Sequence, residues 1–146
     1  MPSITSEILD ILLAFVLGAI IGAEREWRRH PGGLRSCAIV AVASAGYMQL
    51  MIEVGGNNLS AGLGALVTGV GFLGAGVILH RDTGVRGLST AATFWAVAAI
   101  GAAAGAQHPR LALALAAAVF FSHSVLRFVS SWIDRHAPPE TDDGPH

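Results

Sequence analysis

From its fourth residue the chain alternates long apolar runs with short polar breaks. The runs extend from Ile4 to Ala23, Cys37 to Val54, Ser60 to Leu79, Leu88 to Ala106 and Leu111 to Val129, and Gly, Pro, Asn or Arg marks the breaks. A bilayer core needs about 20 apolar residues per helix, so each run is long enough to cross one. A soluble helix keeps a polar face, which these runs lack for most of their length. The pattern predicts an all-α, polytopic transmembrane bundle of about five spans within residues 1–134. Residues 135–146, with Pro138, Pro139, Pro145 and the acids Glu140, Asp142 and Asp143, are expected to form a disordered tail.

Composition agrees with that class. Of the 146 residues 53% are hydrophobic and only 13% charged, and the mean hydropathy is +0.58, outside the usual soluble mix. The net charge of −1 offers no general attraction to nucleic acid, so DNA and RNA partners are not expected. Cys37 is the single cysteine and has no intrachain disulfide partner. With no His/Cys cluster at ligand spacing, neither a metal site nor a cofactor is expected. Met1 to Asp10 contains Glu7 and Asp10 but no Arg, unlike a signal peptide, so the first run is expected to be retained as a span.

How charge is distributed sets the orientation. All nine basic residues are Arg. With the N-terminus outside, Arg25, Arg28, Arg29, Arg35, Arg81, Arg86, Arg127 and Arg135 fall inside, and Arg110 alone falls outside. The positive-inside rule therefore predicts an external N-terminus and a cytoplasmic C-terminus. Trp27 and Trp132 then sit at the cytoplasmic interface, where amphipathic rings favour the headgroup level. The external loops are the Gly55-Gly56-Asn57-Asn58 segment and the brief Gln107 to Arg110 turn.

Small residues point to helix contacts. Lipid tails are as apolar as Leu, so membrane helices associate where small side chains let backbones approach. Ala14, Gly18 and Gly22 form such a row in the first span. In the third, Gly62, Gly69 and Gly76 lie on one face and Gly64, Gly71 and Gly74 cluster on another. Two small faces predict a central third helix, with the fourth span, in which 14 of 18 positions from Ser89 to Ala106 are Ala, Gly, Ser or Thr, among its neighbours. Self-association through such faces is a further expectation.

Three polar clusters fall on the predicted cytoplasmic side. Glu24-Arg25-Glu26 with Arg28 and Arg29 closes the first span, Gly32-Gly33-Leu34-Arg35 opens the second, and Arg81-Asp82 through Arg86 to Ser89-Thr90 links the third to the fourth. One reading is an ion-pair lock, Glu24 or Glu26 bonded to Arg35 or Arg86 across the helices. Another uses the Gly-rich turns and helix starts beside Arg35 and Arg86 to hold an anionic headgroup or ligand. A third leaves these Arg residues exposed, serving topology. Inside the spans, Asp10 and His123 are the ionisable candidates: an intramembrane acid is a functional hypothesis by default, unless the span begins after Asp10. His123, between Ser122 and Ser124, reads more naturally as an interhelical hydrogen-bonding group than as a proton carrier. Ser89 and Thr90 fit helix caps. The sequence contains no His-Glu-x-x-His, Gly-x-x-x-x-Gly-Lys or Gly-x-Ser-x-Gly, so an enzyme is not expected.

The ordered segments Gly18-Ala-Ile-Ile-Gly22-Ala-Glu24-Arg25-Glu26-Trp27-Arg28, Gly33-Leu34-Arg35, Gly69-Val-Gly71-Phe72-Leu73-Gly74-Ala75-Gly76-Val77-Ile78 and Val85-Arg86-Gly87-Leu88-Ser89-Thr90-Ala91-Ala92-Thr93 resemble the MgtC/SapB membrane family over about residues 8 to 130. The resemblance implies a bacterial inner-membrane protein of about five spans, linked to growth at low magnesium and survival inside host phagocytes. It also implies action on other membrane machinery, ATP synthase included, more than magnesium carriage. Glu24, Arg25, Arg28, Arg35, Gly71, Gly74, Arg86 and Thr90 match its motifs, whereas Ser36-Cys37 stands where many relatives have Thr-Asn. MgtC continues past its last span into an ACT-like domain, and the sequence here reaches His146 without one. The expectation is a regulatory or partner-binding membrane protein, with an ion or small-solute transporter, of magnesium or protons, as the alternative.

Overall fold

The computed structural model describes residues 4–54, 58–81 and 84–136. Five helices are long and apolar enough to cross a membrane, and the protein is a multi-pass helical bundle. They are α1 (Ile4–Trp27), α2 (Leu34–Val54), α3 (Leu59–Val77), α4 (Leu88–Gly105) and α5 (Pro109–Phe121), the last prolonged by a π turn (Ser122–Leu126) and then α6 (Arg127–His136). The expected Gly55-Gly56-Asn57 loop, the Asp82-Thr83 link and residues 137–146 of the expected tail lie outside the described residues. Arg135 and His136, assigned to that tail from sequence, instead close α6.

Local chemistry explains where the helices stop. α1 ends with His30 N–H bonded to the Arg25 carbonyl at 3.0 Å and Arg29 N–H to that of Glu26 at 2.9 Å, and Arg29 is left-handed at φ 58°. This is the paired-bond C-terminal stop usually built on glycine. α4 ends the same way, with Gln107 at φ 60° and His108 N–H bonded to the Ala103 carbonyl. Pro109, at the first turn of α5, costs that helix no hydrogen bond. Between α3 and α4 the sequence pattern shows only a break. The structure has a small antiparallel hairpin there, β1 (Leu79–Arg81) on β2 (Gly84–Arg86), with His80 opposite Val85.

The packing order corrects one expectation. α4, not α3, is the central helix: 61% of its spanning window is buried, against 6% for α3, where only Gly74 is buried. α4 packs on α1, α2, α3 and α5. A Cβ added at Gly69, Gly71 or Gly76 would meet nothing within 4 Å, so those glycines make no close contact inside the chain; one at Gly74 would touch Ala91 on α4 at 3.6 Å. Close approach occurs elsewhere. Gly18 lies against Ala41 and the Cys37 carbonyl, Gly22 against Leu34 and Gly33, and Gly101 and Gly105 of α4 against the carbonyls of Ala41 and Ala45. Small residues on α1 and α4 thus grip α2 from both sides. Gly101 and Gly105 let α4 approach α2 closely and α4 admits four neighbours, whereas Leu66, Val70 and Leu73 of α3 line a groove between it and α2.

Candidate functional site

The end of α1, the start of α2, the start of α4 and the π turn after α5 meet at one end of the bundle. Arg25, in the last turn of α1, is only 2% exposed. Its guanidinium donates to four neutral oxygens: the hydroxyls of Thr93 (2.9 Å) and Thr90 (2.8 Å) on α4, and the carbonyls of Pro31 (2.8 Å) and Gly32 (3.2 Å) in the loop before α2. No carboxylate among the described residues bonds it. A buried charge is tolerable only when such acceptors replace water. Gly32 makes the loop possible, because its φ of 73° suits glycine and a Cβ there would meet Thr90 Cγ2 and Phe94 Cζ, each at 2.8 Å. The Gly32 carbonyl also accepts from Cys37 Sγ at 3.3 Å.

Beside Arg25 runs a second set of contacts. Glu24, with a side chain 10% exposed, pairs with Arg28 one turn on and lies 3.2 Å from His123 Nδ1. The other ring nitrogen, Nε2, is 3.2 Å from Thr93 Oγ1. That hydroxyl already gives its one hydrogen to the Ser89 carbonyl at 2.7 Å and accepts from Arg25. His123 Nε2 must therefore be the donor to Thr93, which sets the ring's orientation. The Nδ1 edge then faces Glu24. Thr93 joins Arg25 to His123, and the whole network ties α1, α4 and the end of α5 together. His123 sits in the π turn, where one extra residue per turn re-aims the side chain; such turns are frequent at functional sites.

Around this network lie two clefts. One, of about 280 Å³, is lined by Glu24, Arg25, Arg28, His30, Ser89, Ser122 and His123. The other, of about 670 Å³, is lined by Ile20, Ala23, Trp27 and Phe120 and shares Glu24 and Arg28 with the first.

Against the sequence expectations, Glu24, Arg25, Arg28, Thr90 and His123 come together, whereas Arg35 and Arg86 stay exposed and bond neither Glu24 nor Glu26. The proposed interhelical lock through Arg35 or Arg86 is thus absent: the Glu24 carboxylate turns along its own helix to Arg28, and Glu26 accepts the Leu34 N–H at 2.9 Å. Thr90 is not a cap either. Gly87 occupies the N-cap of α4, and Thr90, in the first turn, points inward at Arg25. Asp10 lies near the far end of α1, inside the helix, with Oδ2 buried and without a hydrogen-bond partner among the described residues. Thr93 ends the fourth motif but received no role from sequence, although Thr90 and Thr93 are spaced three apart and so share a helix face. Pro31 also escaped notice, because its role is played by a carbonyl.

The profile of the MgtC family matches residues 11–132, which hold the entire network and exclude Asp10 by one residue. The chain belongs to the MgtC family. It is 39% identical over 128 residues to Protein MgtC of Salmonella typhimurium (strain LT2), covering 88% of this chain and 55% of that protein. An uncharacterized protein of Haemophilus influenzae is 38% identical over 137 residues, 86% of this chain and 57% of its own length. Protein MgtC of Brucella abortus (strain 2308) is 45% identical over 94 residues, 64% of this chain and 40% of that protein. The chain thus spans about half the length of the curated relatives it matches. No solved structure matches it. As an MgtC-family membrane domain, it builds its polar centre from the motif at the end of α1 and the start of α4.

Proposed function

We propose that this MgtC-type protein resides in the bacterial inner membrane, N-terminus outside and C-terminus in the cytoplasm, and acts by binding a membrane-protein partner rather than by catalysis. By family resemblance the context is magnesium limitation and intracellular survival, with ATP synthase the first partner to test and self-association compatible with either outcome. The observation that supports this reading is where the buried polar groups lie. Arg25, Thr90 and Thr93 gather at one end, and the bundle beyond them is filled by Leu17, Ile21, Ala41, Ala45, Val97 and Ile100. A conduit needs polar or hydrated groups through the midplane; Ser44 is the buried hydroxyl that the described core offers there. The exposed Arg35 and Arg86 stand at the same end, free to meet a partner's carboxylates.

Affinity capture from membranes is expected to recover the partner with the wild-type chain and to lose it with Arg35→Ala and Arg86→Ala. Undiminished capture by both variants overturns the reading. The unpartnered Asp10 oxygen favours the second reading, a magnesium or proton transporter. Reconstituted vesicles separate the two: we expect no flux of either ion, and a flux abolished by Asp10→Asn would put transport first.

A further inference from the structure

The two clefts at the end of α1 form one amphiphilic site. The smaller presents Arg25, Arg28, His30, Ser89 and His123 around Glu24. Two guanidinium charges face one carboxylate there, an excess of one positive charge before either histidine is counted. Arg25 has five N–H hydrogens and spends four on the oxygens named above, so one Nη1 hydrogen remains. The larger cleft continues from Glu24 and Arg28 along apolar Ile20, Ala23 and Phe120, and Trp27, 90% exposed, stands at its side. A cationic, donor-lined pocket running into an apolar groove at the end of a spanning helix matches a molecule with one anionic head and an acyl chain.

We propose that this composite cleft binds one anionic phospholipid. Its phosphodiester sits against Arg28 and Ser89, matching the single excess charge, and a chain lies over Ile20, Ala23 and Phe120 beside Trp27. A zwitterionic lipid brings its own ammonium into the same pocket and loses that match. The inference is independent of protein-partner binding.

Trp27 supplies the readout. In a Trp95→Phe, Trp132→Phe background, brominated phosphatidylglycerol is titrated against brominated phosphatidylcholine in vesicles, and Trp27 quenching is followed. The expected result is half-maximal quenching at about fivefold lower mole fraction of the glycerol lipid, as one favourable charge near the surface gives. Arg28→Gln should bring the two curves together. So should Ser89→Asp, an exposed first-turn position of α4 where an acid suits the helix and does not threaten folding. Coincident curves in the unsubstituted cleft overturn the proposal, as does a preference that survives Ser89→Asp. Loss of the preference on adding millimolar glycerol 3-phosphate would also overturn it, by assigning the pocket to a free anion.

Discussion

Arg25 shows how a charge is kept in a place hostile to it. Each of its four bonds joins a charged donor to a neutral oxygen, and such bonds contribute about 1.5–3 kcal/mol apiece, offsetting the loss of hydration. Removing the head takes the charged donor from all four at once, leaving Thr93 to Ser89 and His123, Thr90 to the Pro31 carbonyl and the Gly32 carbonyl to Cys37. Arg25→Met is therefore expected to lower stability by about 1–3 kcal/mol, measured by thermal unfolding in detergent. Thr93→Val should cost about 1–3 kcal/mol. Because the two residues share a bond, the double variant should cost less than the sum of the singles; strict additivity would contradict the contact. Backbone geometry gives a second test. Gly32→Ala places a Cβ at a positive φ and into Thr90 and Phe94, so a loss of about 2 kcal/mol or more is expected. Arg29→Gly, at φ 58°, should be neutral or gain about 1 kcal/mol, and a marked loss would mean that the arginine side chain outweighs the strain of its backbone.

At the scale of elements, contact follows size on both partners rather than on one. Gly101 lies against the Ala41 backbone, and Gly69 lies against nothing. Gly101→Leu is expected to abolish folding, as judged by loss of a monodisperse peak in detergent. Gly69→Leu should leave the monomer's unfolding temperature unchanged or slightly raised, since Leu is the better helix former. If Gly69→Leu unfolds the monomer, α3 is packed more tightly than its exposure indicates. From sequence the two glycine faces of α3 put that helix at the centre, with the alanine-rich α4 as a neighbour. What separates them is what each helix buries: α4 buries Phe94, Val97 and Ile100 with its small residues, whereas α3 buries Gly74 alone among its described residues. Small-residue patterns report that a close approach is possible, not which helix accepts it. The π turn was illegible for a different reason. Nothing in Ser122-His123-Ser124 breaks a helix, and the extra residue is accommodated where His123 reaches both Glu24 and Thr93.

For the whole molecule, the expectation from five spans is that the two termini lie on opposite sides of the membrane. Accessibility labelling of cysteines placed at residues 3 and 140, in a Cys37→Ser background, should report opposite sides, with residue 140 cytoplasmic as the arginine asymmetry predicts. Labelling on one side would remove either a span or the orientation. The bundle's ends differ in kind: the arginine-bearing end holds the network and both clefts beside it, and the other end holds Asp10 and the Gln49 side chain donating to the Glu7 carbonyl at 2.9 Å.

Five spans, their rough limits and the family were legible along the chain because each depends on local quantities: apolar run length and short ordered motifs. The motifs also pointed to Glu24, Arg25, Arg28, Arg35, Arg86 and Thr90 as one group, of which Arg35 and Arg86 stay exposed outside the network. Which charge would be buried, and by what it would be satisfied, was decided only when α4 came to lie between α1 and α5. A hydroxyl 68 positions away and a carbonyl held in place by a glycine's positive φ leave no mark in hydropathy or charge pattern. Desolvation is a property of the assembled surroundings, so the same arginine that reads as a topology signal in one dimension becomes, in three, the centre of the site.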